Sequence, residues 1–324
     1  MQNIFYYFSR MESSRKNKLI KTFLKIIVSI CGISFIFYKI PLDKIASNWT
    51  ESTLPWLIFM LVITFLGMVI QANRWKGLSL EAGKKIPFRI YYAYIAIGYF
   101  FTAFLPGGFG GDIVKTLAFG KRFNQTSQSV AAILISRVQG LLVLFALFFV
   151  SLPWVLIHYS VPLPYTFGML AALVISLLAI LFCLFSDKLM IPEKVTKKIK
   201  FIPKLQAALA LYRGNKKQFF LSFIDSFWLQ LIVFLTSYAY FRSVGIELDL
   251  RIVIVFSGII IIITMLPISF NGIGVREWVT LSLYTGILGL PADKVLAGNL
   301  LGYILILFQA LQGGIAFALQ KKIV

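Results

Sequence analysis

The chain has 324 residues, of which 59% are hydrophobic, 16% are aromatic and only 14% are charged. A soluble domain of this length needs roughly a quarter of its residues charged to cover its surface, so these values argue against a sizeable aqueous catalytic domain. The formal net charge of +20 would suggest nucleic acid in a soluble protein. Here the basic residues stand between apolar segments, so they indicate loops held in the cytoplasm, and no nucleic-acid partner is expected.

Apolar segments long enough to cross about 30 Å of hydrocarbon recur along the whole chain. The predicted full spans are residues 19–38, 54–72, 129–157, 165–186, 217–241 and 297–319. Basic residues cluster before the first span, after the second, between the fourth and fifth, and after the last. The positive-inside rule places these clusters in the cytoplasm. The sequence therefore predicts an all-α, multi-pass membrane protein with about six spans and both termini in the cytoplasm.

The region 90–120 does not fit a simple crossing. Its first apolar arm, 90–105, is only about 24 Å long as a helix. Pro106 then begins a Gly-rich turn, and a second arm ends near residue 120. Basic residues on both sides place both flanks in the cytoplasm. A re-entrant helical hairpin that enters from the cytoplasm satisfies both observations.

The region 252–290 repeats this pattern with the opposite orientation. Its arms, 252–266 and 275–290, flank a turn that begins at Pro267, and the predicted spans place both flanks outside. The two halves thus have the same order of segments, which is typical of an inverted-topology repeat with broken helices. The alternative is a coincidence of two Gly/Pro breaks.

The chain is accordingly divided into a basic tail and two membrane repeats. The tail is 1–18, the first repeat is 19–160, and the second repeat is 161–324. The second repeat contains a basic cytoplasmic loop at 187–216. This loop forms either short amphipathic helices on the membrane surface or a solvated linker.

Each Gly-rich turn is followed by an acidic residue, Asp112 or Glu277, at the start of a predicted helix. Helix N-termini with nearby glycines bind phosphate through free backbone N–H groups. If the two turns meet within the membrane, they form a cradle for an anionic headgroup; the plainer interpretation is that the glycines only permit tight turns. The candidate substrate-binding residues are Pro106, Gly107, Gly108, Gly110, Gly111, Asp112, Lys115, Arg137, Asn271, Gly272, Gly274, Arg276 and Glu277.

Charged residues within apolar segments are costly and are usually functional. Arg137 is such a residue, and its guanidinium can bind a phosphate with two hydrogen bonds. The alternative is a structural ion pair between Arg137 and either Asp112 or Glu277. Weaker, secondary candidates are Asn73, Arg74, Asp225 and Gln230.

The stretch from Asn73 to Lys76 is more readily interpreted as an interfacial anchor, with Trp75 at the level of the headgroups. The single histidine, His158, and the two cysteines lack the spacing of metal ligands, so neither a metal site nor a cofactor is expected.

Four motifs occur in order along the chain: NRW at 73–75, LPGGFGGD at 105–112, SRVQG at 136–140 and PISFNGIGVRE at 267–277. Together they resemble those of the lysylphosphatidylglycerol synthase transmembrane-region family, also called flippase-like domain proteins. The resemblance implies a bacterial or archaeal inner-membrane protein that moves lipids, or helps to move them, between leaflets. Bifunctional members continue into a soluble aminoacyl-transferase domain, whereas this chain ends at Val324, so the resemblance does not support lysyl transfer here. Relatives of this length are associated with polyprenyl-linked sugar pathways or hopanoids, so the family leaves the lipid open.

The leading hypothesis is therefore a flippase or scramblase, not an enzyme, for a phospholipid or a polyprenyl-phosphate-linked lipid. Its expected partners are membrane lipids with anionic headgroups, and a lipid- or glycan-modifying enzyme is a further candidate partner. The alternative is a membrane glycosyltransferase or its accessory subunit acting on polyprenyl-linked sugars. That enzyme would need a catalytic acid, for which Glu247 and Asp249 in a short outer loop are the candidates. A third hypothesis is a scaffold for lipid-modifying enzymes.

Overall fold

A computed structural model describes residues 34, 38, 40–80, 85–104, 110–188, 201–266, 269 and 272–319. All regular secondary structure in these residues is helical, which confirms the predicted all-α class. The helices are α1 (Leu42–Ala46), α2 (Thr53–Leu78), α3 (Phe88–Phe104), α4 (Gly110–Arg122), α5 (Thr126–His158), α6 (Leu163–Phe185), α7 (Phe201–Gly214), α8 (Lys216–Arg242), α9 (Leu250–Met265), α10 (Val275–Thr280) and α11 (Ala292–Ala318).

Five helices of the described residues are long and apolar enough to cross a membrane. They are α2, α5, α6 with its following turn to Lys188, α8 and α11, and each matches one of the predicted spans. The remaining predicted span, 19–38, lies outside the described residues except for positions 34 and 38. Proline stands directly before two of these helices, at Pro162 and Pro291, where its fixed φ angle suits the start of a helix.

The two predicted hairpins correspond to pairs of shorter helices. Helices α3 and α4 pack against each other, and so do α9 and α10. The arm predicted at 275–290 is not one regular α-helix, because α10 ends at Thr280 and a π-helical turn, Leu281–Thr285, follows it. The Gly286 N–H bonds to the Leu281 carbonyl, five residues back, at 3.0 Å. This longer hydrogen-bond spacing is what defines a π-helical turn.

Helices from the two halves pack against each other in a reciprocal way. The first arm of the first hairpin, α3, packs on the last span, α11, while the first arm of the second hairpin, α9, packs on α5. The contact between α3 and α11 is close, since a methyl group on Gly313 would stand 2.0 Å from the carbonyl oxygen of Ala96. Such reciprocal packing is what an inverted repeat would produce. The repeat, its boundaries and the insertion of the hairpins into a bilayer stay predictions.

Helix α7 lies within the basic loop predicted at 187–216, so this part of the loop is an amphipathic helix. Its buried side chains are Ala208, Leu209 and Tyr212. The Tyr212 hydroxyl donates a hydrogen bond of 2.6 Å to the carbonyl of Leu78 at the end of α2. Burial raises the pKa of the Tyr212 phenol. This contact fixes α7 against the end of the first described span.

Candidate functional site

A cavity of about 410 Å³ lies between α2, α3, α4, α5, α8, α9, α10 and α11; we call it the central cavity. Four cationic side chains and one carboxylate line it, namely Arg74, Asp112, Lys115, Arg137 and Arg276. Both predicted hairpins contribute to this wall, because Asp112 and Lys115 come from α4 and Arg276 from α10. The structure thus brings charged candidates that are far apart in sequence to one cavity.

The first hairpin contributes an ion-pair cluster centred on Asp112. This residue lies in the first turn of α4, where a carboxylate is favoured by the helix dipole. The Nζ atom of Lys115, one turn further along, lies 2.5 Å from Asp112 Oδ1. On the other side, Arg137 Nε donates to Asp112 Oδ2 at 2.7 Å. The structure therefore contains one of the two ion pairs considered for Arg137, and its partner is Asp112.

The two cations of this cluster differ in exposure. The side chain of Lys115 is buried, whereas that of Arg137 is 43% exposed. Arg137 therefore lies on the open side of the cavity and can reach a ligand without leaving Asp112 uncompensated, because Lys115 remains beside the carboxylate.

The second hairpin contributes Arg276 with a buried acceptor behind it. The Glu277 carboxylate accepts hydrogen bonds from Gly274 N–H at 2.7 Å, Arg276 Nε at 3.1 Å and Tyr303 O–H at 2.9 Å. The Arg276 guanidinium also lies 4.5 Å from the centre of the Tyr303 ring, in cation–π geometry. Among the described residues, its buried Nη2 atom has no hydrogen-bond partner. Glu277 itself does not line the central cavity.

Arg74 is buried near the end of α2. Its Nη1 atom donates to Ser226 Oγ at 2.8 Å and to the Ser136 carbonyl at 3.4 Å, and its buried Nε atom has no hydrogen-bond partner in the described part of the chain. The interpretation of residues 73–76 as an interfacial anchor is therefore wrong for Arg74. It is also wrong for Trp75, which is 3% exposed and packs 4.8 Å from the ring of Phe119. Side chains of α3 and α4 cover Trp75, whereas α5 and α8 supply the hydrogen-bond partners of Arg74.

The SRVQG motif joins α5 to α8 along the cavity. Gln139 donates to the carbonyl of Phe219 at 3.1 Å and accepts from the Ser222 hydroxyl at 2.7 Å. Further along α8, Gln230 Nε2 donates to the Gly140 carbonyl at 2.9 Å. Gln230, a secondary candidate, lines the central cavity.

Sequence reasoning missed two polar residues of α8, Ser226 in the central cavity and Ser222, which bonds to Gln139. Ser222, Ser226 and Gln230 recur at a spacing of four residues, which puts them on one face of the helix. This spacing in an otherwise apolar span was the available signal. Tyr303 was missed as well, and no motif marks it, since only the fold brings it to Glu277.

The described glycines of the two turns do not line the central cavity. Gly111 instead permits close packing, because a methyl group there would stand 1.9 Å from the carbonyl oxygen of Gly98. Gly272 and Gly274 have φ angles of +77° and +81°, which favour glycine in a turn. The Gly274 N–H already donates to Glu277, so it does not offer a free donor to a phosphate. These contacts fit the plainer interpretation of the glycines, and a binding role for them stays a prediction.

The remaining candidates lie elsewhere. Pro106, Gly107, Gly108 and Asn271 are outside the described residues, and Gly110 begins α4 without lining the central cavity. Asn73 and Asp225 line a second cavity of about 760 Å³ at the junction of α2, α7 and α8, which we call the vestibule.

These features define a multi-pass, all-α membrane protein with a cationic cavity between its helices. The chain belongs to the lysylphosphatidylglycerol synthase TM region family, whose model matches residues 22–313. A comparison with curated proteins returns no match. The family resemblance noted from the motifs is thereby confirmed, while location in the inner membrane and cytoplasmic termini stay predictions.

Proposed function

We propose that the chain moves an anionic or phosphate-bearing lipid between the leaflets of the inner membrane, as a flippase or scramblase. The observation that carries this proposal is the excess of cations at the wall of the central cavity: among the described residues, four basic side chains line it together with the carboxylate of Asp112, and the carboxylate of Glu277 pairs with Arg276 from behind. Uncompensated charge within apolar helices is costly. A phosphate group would offset this charge, and guanidinium groups bind phosphate with paired hydrogen bonds.

The apolar part of the cavity wall suits the rest of a lipid. Leu229, Ile261, Met265 and Val233 line the same cavity, and Val233 is 40% exposed on the surface of α8. A headgroup can therefore be held by the cations while the acyl or prenyl chains stay against apolar surface and lipid. Phospholipids and polyprenyl-phosphate-linked lipids share the phosphate that this arrangement would recognise.

The carboxylates considered for a glycosyltransferase are engaged in other contacts. Glu247 forms an ion pair with Arg242. Asp249 accepts from the backbone N–H of Arg251 at 2.8 Å and from its Nε at 2.9 Å. The hydrogen bonds from Arg251 hold the pKa of Asp249 below its ordinary value, whereas a general acid needs a raised pKa. The geometry therefore favours lipid movement over this alternative.

Reconstitution into liposomes with fluorescent lipids of several headgroups tests the proposal. The wild type is expected to move a phosphate-bearing lipid faster than protein-free liposomes do. Arg137→Ala and Arg276→Ala are each expected to slow this movement about tenfold or more, since each removes a charge-assisted contact to the headgroup. The dependence of the rate on the headgroup identifies the class of lipid.

Arg242→Ala is the matched control, because it also removes an arginine from an ion pair but lies outside both cavities. It is expected to retain the wild-type rate. Arg276→Ala also leaves the buried Glu277 without its cation, so the decisive variant is Arg137→Ala, which leaves Asp112 paired with Lys115. Equal rates in the wild type and Arg137→Ala would overturn the proposed site.

A further inference from the structure

The vestibule is a second cationic cavity, beside the central one. In the part of the chain that the structure describes, four basic residues, Arg74, Lys76, Lys216 and Lys217, and one acid, Asp225, line it. Lys216 and Lys217 also form the first turn of α8. Backbone N–H groups at the start of such a long helix add positive potential. The vestibule therefore has the charge that suits a phosphate group.

Among the described residues, Arg74 is the one charged residue that lines both cavities. The wall between them is thin, because Ser222 lines the vestibule and Ser226, one turn further along α8, lines the central cavity. One turn of helix corresponds to about 5.4 Å. Arg74 donates to Ser226 across this wall at 2.8 Å, and its buried Nε has no hydrogen-bond partner among the described residues. A buried guanidinium with an unused donor is costly, and an anion at the wall would satisfy it.

We propose that the vestibule is the aqueous entrance for the lipid headgroup and that Arg74 receives its phosphate there and passes it to the central cavity. This inference rests on the proposed lipid movement. The positive-inside rule predicts that the Lys76, Lys216 and Lys217 cluster faces the cytoplasm. The headgroup would accordingly enter from that leaflet, first at the lysines, then at Arg74, and finally at Arg137 and Arg276.

A reversible plug in the vestibule tests this route. Leu221 lines the vestibule and is 41% exposed. After replacement of the native cysteines (Cys31→Ser and Cys183→Ser), Leu221→Cys is labelled in detergent with a bulky biotinylated methanethiosulfonate and then reconstituted. The movement of fluorescent phosphatidylglycerol is measured by dithionite quenching, before and after the label is removed with dithiothreitol. The label is expected to slow the movement about tenfold or more, and its removal is expected to restore the rate.

Leu211→Cys is the matched control, since Leu211 is 49% exposed on α7 and lines neither cavity. Each variant is compared with itself, so an effect of the cysteine alone does not enter the ratio. Labelling at Leu211→Cys is expected to leave the rate unchanged.

The outcomes separate the two proposals. If unlabelled Leu221→Cys moves lipid and the label leaves its rate unchanged, the headgroup does not pass through the vestibule, while the proposed function stands. If neither unlabelled variant nor the wild type moves lipid faster than protein-free liposomes, the proposed function fails and this route fails with it. A reversible loss confined to Leu221→Cys supports the route.

Discussion

The two hairpins differ in the charges that they present to the central cavity. In the first hairpin the carboxylate of Asp112 lines the cavity, and its partners are Lys115 from the same helix and Arg137 from α5. In the second hairpin the carboxylate does not line the cavity. Arg276 lines the cavity, and its carboxylate partner, Glu277, is buried behind it.

The two ion pairs also differ in how firmly the arginine is held. We call Asp112–Arg137 the open pair and Arg276–Glu277 the locked pair. Arg137 is 43% exposed and shares its carboxylate with a second cation. Arg276 donates a hydrogen bond to the Glu277 carboxylate, which also accepts hydrogen bonds from Gly274 N–H and Tyr303 O–H. A ligand can exchange partners with Arg137 at little cost, whereas Arg276 offers a fixed positive charge. The first hairpin is therefore suited to capture and release of a headgroup, and the second to holding it in place.

The largest expected effect is that of Glu277→Ala. This change leaves the partly buried Arg276 without the carboxylate of the buried Glu277 and also removes the acceptor of Gly274 N–H and Tyr303 O–H. Breaking a buried ion pair by removing one partner costs about 3–5 kcal/mol. The free energy of unfolding in detergent is expected to fall by this amount, and thermal unfolding followed by intrinsic fluorescence is expected to show a lower midpoint.

Glu247→Ala provides the control, because it removes a glutamate that is also paired with an arginine but is 80% exposed. An exposed pair contributes about 0–1 kcal/mol. Similar losses in the two variants would mean that the pair in the second hairpin is not locked, and the contrast between the hairpins would disappear.

A smaller effect is expected at the closest contact of the first hairpin. In Gly111→Ala the added methyl group would meet the Gly98 carbonyl oxygen at 1.9 Å and the Thr102 hydroxyl oxygen at 2.1 Å. Helices α3 and α4 would have to separate, and such overpacking typically costs about 1–3 kcal/mol. The measurement is again the unfolding midpoint in detergent.

Gly168→Ala in α6 is its control, since a methyl group at Gly168 meets no atom within 4 Å. That variant is expected to gain up to about 1 kcal/mol, because alanine favours a helix more than glycine does. If Gly111→Ala proves as stable as Gly168→Ala, Gly111 is not needed for close packing of α3 and α4. That result would favour the alternative that Gly111 is part of a phosphate-binding turn.

Much of the fold could be predicted because membrane helices must satisfy their own backbone and therefore follow long apolar runs. The predicted hairpin regions coincide with the packed helix pairs α3–α4 and α9–α10, and the cost of charge in an apolar segment singled out Arg137. Partners across the fold could not be predicted. From the sequence, either Asp112 or Glu277 could have been the ion-pair partner of Arg137. Only the packing of α3 and α4 over the end of α2 explains why Trp75 is buried.

Residues whose role depends on a neighbouring helix were missed for the same reason. Tyr303 has no motif around it, and its hydroxyl becomes important only because α10 places Glu277 within 2.9 Å. The π-helical turn Leu281–Thr285 likewise has no local sequence signature. Regular spans follow from the chain itself, whereas the partners in the cavity follow from tertiary packing.

The smallest expected effect sharpens the contrast between the open and the locked pair. A double-mutant cycle with Asp112→Asn and Arg137→Gln measures the coupling free energy of the first pair. Because Arg137 is 43% exposed, this coupling is expected to be at most about 1 kcal/mol. It is expected to fall further when phosphatidylglycerol is added, since the lipid phosphate would replace Asp112 as the partner of Arg137. A coupling that exceeds this value, or that does not change with lipid, would show that Arg137 is held as firmly as Arg276 and does not exchange its partner.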